Sequence, residues 1–311
     1  HEAKMIIIAK KLYKGKIENR EEYAENYINH ILSVAPDLSN LNIALDCANG
    51  ASYKIAPHIF KKAGANVIAV HSINDGANIN VNCGSLNTNE LKRQIKEHNC
   101  DIGFAFDGDS DRLIIVTNSL REIDGDELIY MCSKQLKDNN KLNALTCVGT
   151  VLTNMGCEVN LNKIGIKLIR CAVGDRYVIE KLRENNYSVG GESSVHEYNT
   201  TCDALMNAVV FLKLINCDVN SIDNILKDYK KYPQTTKNLT INEQFKSEFK
   251  KNSELLSEIE KIAESNKTAR VIVRPSGTEN LLRLMVESEN ENTNKKIISD
   301  LIKVINKYYK N

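Results

Sequence analysis

The sequence lacks a surplus of either charge: 41 basic against 40 acidic residues leave a net +1. Nucleic-acid binders and polybasic membrane binders normally carry a basic excess, so neither partner is expected. It also lacks any apolar run of about 18 residues, so no membrane span is expected. The opening residues His1 to Ile8 hold too short an apolar run for a secretory leader, and no small-residue cleavage site follows. Nine cysteines occur without a Cys-x-x-Cys pair. They read as reduced, packed thiols of a cytoplasmic protein, and a zinc site is not expected without paired ligand spacing. Prolines number only four: Pro36, Pro57, Pro233 and Pro275.

What is present is ordinary core material. The chain has 311 residues, 42% of them hydrophobic, enough for two or three domains at about 100–200 residues each. A charged helix is expected over 17–34, with Tyr23, Tyr27 and Ile31 at spacing four. Strand and helix signals then alternate: strands at 41–45, 66–70, 102–106 and 112–116, helices at 53–63 and 90–98. After Asp124-Gly125-Asp126 the alternation restarts, with strands at 143–148, 166–170 and 187–190. The helices of this second stretch fall at 127–137, 153–163, 177–184, 203–216 and 221–229. Such alternation implies parallel sheets built from βαβ units. Past Tyr232-Pro233 the pattern changes to a strand at 237–241, one long helix at 243–264, two strands around a tight turn, and a helix at 294–308. The expectation is two three-layer α/β domains, 21–122 and 123–233, followed by a small α+β domain, 234–311. Residues 1–20 are read as the remnant of a linker.

Asp107-Gly108-Asp109-Ser110-Asp111-Arg112 directly follows the apolar strand Ile102 to Phe106. Three carboxylates at i, i+2 and i+4 can converge on one point, where they repel unless a hard divalent cation joins them. Arg112 adds a group able to hold a phosphate. Together they suit metal-assisted phosphoryl transfer. An EF-hand is excluded by Arg112 and Asn118 at positions that need Gly and Glu. A phosphatase using Asp107 as nucleophile and an acidic surface turn are the remaining alternatives. A second loop, Arg274-Pro275-Ser276-Gly277-Thr278-Glu279, lies between two strands. Gly277 lets successive N–H groups face one anion, the hydroxyls of Ser276 and Thr278 add donors, and Arg274 and Arg283 supply guanidinium forks. A plain hairpin turn is its bland alternative. In a third loop, 190–196, Glu192, Ser194 and His196 alternate and can face one side. A carboxylate and a hydroxyl suit sugar hydroxyls, and a histidine can act as acid or base. Asp175 reads as a helix start, and the neighbouring Arg176 can reach a phosphate.

The order and spacing of these segments resemble the phosphohexomutase superfamily over nearly the whole chain, from about residue 20 onward. The resemblance rests on Asp46-Cys47-Ala48-Asn49-Gly50-Ala51, Asn78-Ile79-Asn80 with Cys83-Gly84-Ser85, Asp107 to Arg112, Val148 to Val151, Val173 to Val178, Gly190 to His196, and Arg274 to Glu279 with Leu282 to Glu287. The Asn78 to Ser85 segments and the Arg283 to Glu287 ending favour the branch acting on glucosamine phosphate. The resemblance implies exchange of phosphate between the 6- and 1-positions through a bisphosphate intermediate. It implies Mg2+ held by Asp107, Asp109, Asp111 and a phosphoserine, with sugar contacts from Glu192, Ser194 and His196. The non-reacting phosphate would fall to Arg274, Ser276, Gly277, Thr278 and Arg283, with Asp175 and Arg176 as further substrate contacts. His196 is the candidate general base and Arg112 a catalytic cation. The family's serine lies in an Ala-Ser-His-Asn-Pro type segment, and no proline here follows Asn. The expectation is therefore a fragment that is inactive alone and needs a phosphoserine domain in cis or in trans. A non-catalytic phosphosugar-binding paralogue, or one half of a split mutase, is the alternative. The third loop also departs from the family, with Val195, Cys202 and Ala204 where glycines are expected and a short stretch from His196 to Ala204.

Overall fold

The computed structural model describes residues 20–73, 75–191, 195–196 (backbone alone), 202–277 and 279–309. The chain runs α1 (Glu21–Val34), β1 (Asn42–Asp46), α2 (Ile55–Lys62), β2 (Asn66–Val70), α3 (Asn89–His98), β3 (Ile102–Phe106), β4 (Leu113–Thr117) and β5 (Glu122–Ile123). It continues with α4 (Gly125–Asp138), β6 (Thr146–Thr150), α5 (Met155–Lys163), β7 (Lys167–Cys171), α6 (Asp175–Asn185), β8 (Gly190–Gly191), β9 (Val195–His196), α7 (Ala204–Leu214) and α8 (Ser221–Ile225). The last part holds β10 (Gln234–Thr240), α9 (Glu243–Glu248), α10 (Ser253–Ser265), β11 (Ala269–Pro275), β12 (Leu281–Ser288) and α11 (Glu291–Tyr308). Three sheets result, in the orders β2-β1-β3-β4-β5, β7-β6-β8-β9 and β10-β12-β11.

Period-two alternation builds the layers of the first sheet. On β1, Ile43 and Leu45 join the large core on one face, which takes in α2 residues Ile59 and Phe60. Ala44 points to the other face, under Leu91 and Ile95 of α3. Small Ala44 and Ala105 make room for that helix. The second sheet repeats the plan, with Cys147 and Leu168 in the large core and Val148 and Cys171 packed with Val178 of α6. The first two sheets therefore share one continuous core. The C-terminal sheet closes its own, around Leu282, Leu284, Val286, Leu301 and Ile305.

The α/β then α+β architecture is the one the alternation predicts, with local differences that have physical reasons. The strands are not all parallel: β4 runs antiparallel to β3, and β5 to β4. Only residues 107–112 join β3 to β4, too few for a parallel crossover of a dozen or more. The helix expected over 243–264 is two helices. Asn252 breaks it, because its side chain accepts from Leu255 N at 3.0 Å and so caps a fresh helix. The helix expected over 221–229 ends at Ile225, and the chain unwinds to pack Tyr229 at a tilt against Tyr130, with ring centroids 4.9 Å apart. In α1, Ile31 is buried and Tyr27 half-buried, while Tyr23 stays exposed, so the inward stripe is shorter than its spacing suggests.

Asp124 opens α4 with a capping box, accepting from Asp126 N and Glu127 N while Glu127 accepts from Asp124 N. The C-terminal unit is tied to the second sheet by one buried carboxylate. Glu287 of β12 accepts from Asn154 Nδ2 at 3.3 Å, Met155 N at 3.1 Å and Arg270 Nη1 at 3.1 Å. Arg270 also donates to Thr153 O at 2.6 Å. All nine cysteines are free thiols, seven of them buried. Among the described residues no helix is long and apolar enough to cross a membrane.

Candidate active site

The fully buried strand β3 ends just before the buried Asp107, and the next five residues fold over that carboxylate. Asp107 Oδ1 accepts from Asp111 N at 3.1 Å and Arg112 N at 3.0 Å, and Oδ2 from Arg112 Nε at 2.7 Å. Ser110 takes φ +62° to make the turn. One carboxylate oxygen each from Asp107, Asp109 and Asp111 lies within 4.8 Å of the others. Burial pushes Asp107 up, but the backbone and guanidinium bonds from Arg112 hold it below the usual carboxylate range. Asp111 carries the opposite strain: burial and the neighbouring Asp107 push it up to about 6. Its Oδ1 is buried without a hydrogen-bond partner. Three carboxylate oxygens converging on one point are a donor set that fits a hard divalent cation.

This disposition bears on two sequence alternatives. Asp107 is buried, with both oxygens accepting hydrogen bonds from its own loop, which braces it in place. An ordinary surface turn would not bury its first carboxylate under its own arginine. Arg112, read as a phosphate holder, places its Nε on Asp107, leaving the rest of a half-exposed guanidinium available.

The loop is held from behind by the segments that carried the resemblance. A Cβ on Gly50 would lie 2.2 Å from Gly108 O, and one on Gly108 would lie 2.5 Å from Ile79 Cγ2. Ala51 N donates to Gly108 O at 2.8 Å. Gly84, at φ +69°, fits against Phe106 O. Asp46, wholly buried, accepts from Ala48 N and Gly84 N at 3.0 Å each, clipping the 78–85 segment to β1. From the other side Ala204 N donates to Ser110 O at 3.0 Å, and Asp203, the N-cap of α7, accepts from Tyr27 Oη at 2.9 Å. Sequence reasoning passed over Asp203 and Tyr27 as site residues. Spacing could not show them, since they are 176 positions apart.

In the phosphate loop, Arg274 and Arg283 stand directly opposite in the β11–β12 register, so both side chains share one face. Like charges in that position repel and favour an anion between them. Arg283 donates to Glu279 at 2.7 Å and keeps a buried Nε without a partner. One expectation needs correcting. The Ser276 N–H closes the hairpin onto Leu281 O at 2.8 Å, and Ser276 Oγ accepts from Glu279 N at 3.3 Å, so that amide does not face an anion. Thr278 lies outside the described residues.

Of the third loop, Glu192 and Ser194 lie outside the described residues. Val195 and His196 form β9, with backbone paired to Gly191 and Gly190; an extended backbone suits a β-branched residue without glycine. Asp175 opens α6 after Gly174 at φ +122°, and Arg176 stacks on Tyr177 at 4.4 Å.

The chain is similar to known proteins along most of its length. The α/β/α domain II pattern of phosphoglucomutase/phosphomannomutase matches residues 21–120, the domain III pattern 124–232, and the C-terminal domain pattern 214–304. The chain belongs to this family. It is 40% identical to the phosphoglucosamine mutase of Clostridioides difficile (strain 630) over 286 residues, 90% of this chain and 64% of that protein. It is 37% identical to the phosphoglucosamine mutase of Bacillus subtilis (strain 168) over 297 residues, 94% of this chain and 66% of that protein. The chain thus spans just under two thirds of the length of these curated relatives. Among solved structures, a family protein of Burkholderia thailandensis matches with TM-score 0.70 at 20% identity, over 91% of this chain and 64% of that one. N-acetylphosphoglucosamine mutase of Aspergillus fumigatus, in complex with GlcNAc-6P and magnesium, matches with TM-score 0.67 at 14% identity, over 91% and 69%. These structural likenesses establish the fold.

Proposed function

We propose that this chain is the metal-, sugar- and phosphate-binding part of a phosphoglucosamine mutase, interconverting glucosamine 6-phosphate and glucosamine 1-phosphate through a bisphosphate. The observation that carries the reading is the braced loop, where the oxygens of Asp107, Asp109 and Asp111 converge beside Arg112. The curated relatives of that name support the substrate class.

In this reading Asp107, Asp109 and Asp111 hold Mg2+, as a related fungal mutase is seen with magnesium. Bound there, the ion neutralises charge on a transferring phosphoryl group. Arg112 fixes Asp107 and offers its outer N–H groups to the same phosphoryl oxygens. Glu192 and Ser194 orient the sugar hydroxyls, and His196 moves the proton at the attacking sugar oxygen. Arg274 and Arg283, with Ser276, Gly277 and Thr278, grip the phosphate that does not react, so that either end of the bisphosphate can be presented. Asp175 and Arg176 add contacts from the start of α6. No Asn-Pro dipeptide occurs in these 311 residues. In this reading a phosphoserine carrier, in cis or in trans, supplies the phosphoryl group. The free, mostly buried thiols support a reducing, cytoplasmic setting.

The test mixes the chain with a separately made phosphoserine-bearing domain and follows conversion of glucosamine 6-phosphate. Activity is expected in the mixture and not in the chain alone. It should fall by at least about a hundredfold in Asp109→Ala. Full activity in that variant, or none in the mixture, removes the proposal.

A further inference from the structure

A second cluster of ligand-type side chains lies behind the aspartate loop and has no part in the reading above. Asp46, His71 and Cys83 each bring one donor atom within 4.8 Å of the others. They come from the end of β1, the residue after β2, and the residue before Gly84. Asp46 and Cys83 are buried, at 0% and 1% exposure. His71 is half-buried, with Nδ1 3.0 Å from Asp46 Oδ2. His71 also takes φ +47°, a left-handed backbone that a bulky non-glycine residue adopts at a cost of about 1–3 kcal/mol. That strained backbone is what turns its ring back over the buried carboxylate, while its carbonyl accepts from Asn49 N at 2.6 Å.

We infer that Asp46, His71 and Cys83 form a binding site for a borderline-soft divalent cation of the zinc type, separate from the aspartate loop. The donors are one carboxylate, one imidazole and one thiolate, the mixture such ions select over magnesium or calcium. Tetrahedral bonds of about 2.0–2.3 Å place such donors about 3.3–3.6 Å apart. The Asp46–His71 separation, 3.0 Å, is near that, and all three donor atoms lie within 4.8 Å of one another. Binding releases the Cys83 thiol proton, and Nδ1 of His71 binds as the unprotonated nitrogen with its proton on Nε2. Asp46 keeps its bonds from Ala48 N and Gly84 N. The ion would therefore pin the 78–85 segment to β1 and, through Gly84 against Phe106 O, stiffen the strand end that carries Asp107.

The test titrates the full chain with cobalt(II) in a large excess of magnesium, which occupies the all-oxygen loop. The readout is the near-ultraviolet thiolate-to-cobalt band, which an aspartate site cannot produce. One equivalent should develop the band, and zinc should abolish it by displacement. Cys83→Ser should remove it, although eight other cysteines remain. His71→Ala should weaken cobalt binding by more than about tenfold, with circular dichroism confirming that each variant is folded. Should Cys83→Ser fail to fold, His71→Ala alone decides. No band in the native chain, a band that survives Cys83→Ser, or unchanged affinity in His71→Ala overturns the inference. None of these readouts depends on mutase activity.

Discussion

At Gly50 one added carbon would lie 2.2 Å from the carbonyl oxygen of Gly108, backbone against backbone. Gly50→Ala therefore has to push the aspartate loop away, at about 1–3 kcal/mol for overpacking. Urea unfolding should show that loss, and magnesium affinity should fall with it. Gly277→Ala is the matched comparison: nothing lies within 4 Å of its added carbon, so its stability should stay within about 0.5 kcal/mol of the parent. Asp126 offers a different residue-scale test. Burial pushes its carboxyl up to about 7, helped by Asp124 and Glu287 and opposed by the Asn154 N–H and Lys231. A folded value above the unfolded one, about 3.9, means that the folded state holds the proton longer. The associated stability is fully present below pH 4 and is lost as pH rises through 7. Urea midpoints measured from pH 4 to 8 should carry this downward contribution in the parent and lose it in Asp126→Asn.

At the scale of elements, the start of α5 and the strand β12 meet through Glu287. Burial raises its carboxyl, and Arg270 opposes that rise. Three donors converge on it, from Asn154, Met155 and Arg270. Glu287→Gln turns one acceptor oxygen into a donor facing donors and removes the charge partner of half-buried Arg270, at about 3–5 kcal/mol. Because the C-terminal unit has its own core, the loss should appear as separation. Denaturation should change from one transition to two, and a protease should nick residues 230–234 faster. A single, merely shifted transition would mean that the units are coupled elsewhere. The same scale explains the misread helices: Asn252 and the Tyr130–Tyr229 contact end elements for reasons of capping and packing that hydrophobic spacing does not carry.

For the whole molecule, the sequence by itself determined the alternation of strand and helix, and hence two α/β units and an α+β unit. Apolar period and turn chemistry are local properties, written within each segment. It also determined the aspartate loop and the paired arginines, since their chemistry lies within a few consecutive residues or one hairpin. Only the tertiary structure decided that β4 turns back antiparallel, that Ser276 N closes a hairpin, and that Asp107 is an anchor with both oxygens engaged. It alone gathered Gly50, Ile79 and Gly84 behind the loop, and Asp46, His71 and Cys83 into one cluster. Each group spans more than 30 positions of the chain, so no local spacing rule links its members. The chain meets itself there because β1 and β3 are neighbours in the sheet and their ends open onto the same side.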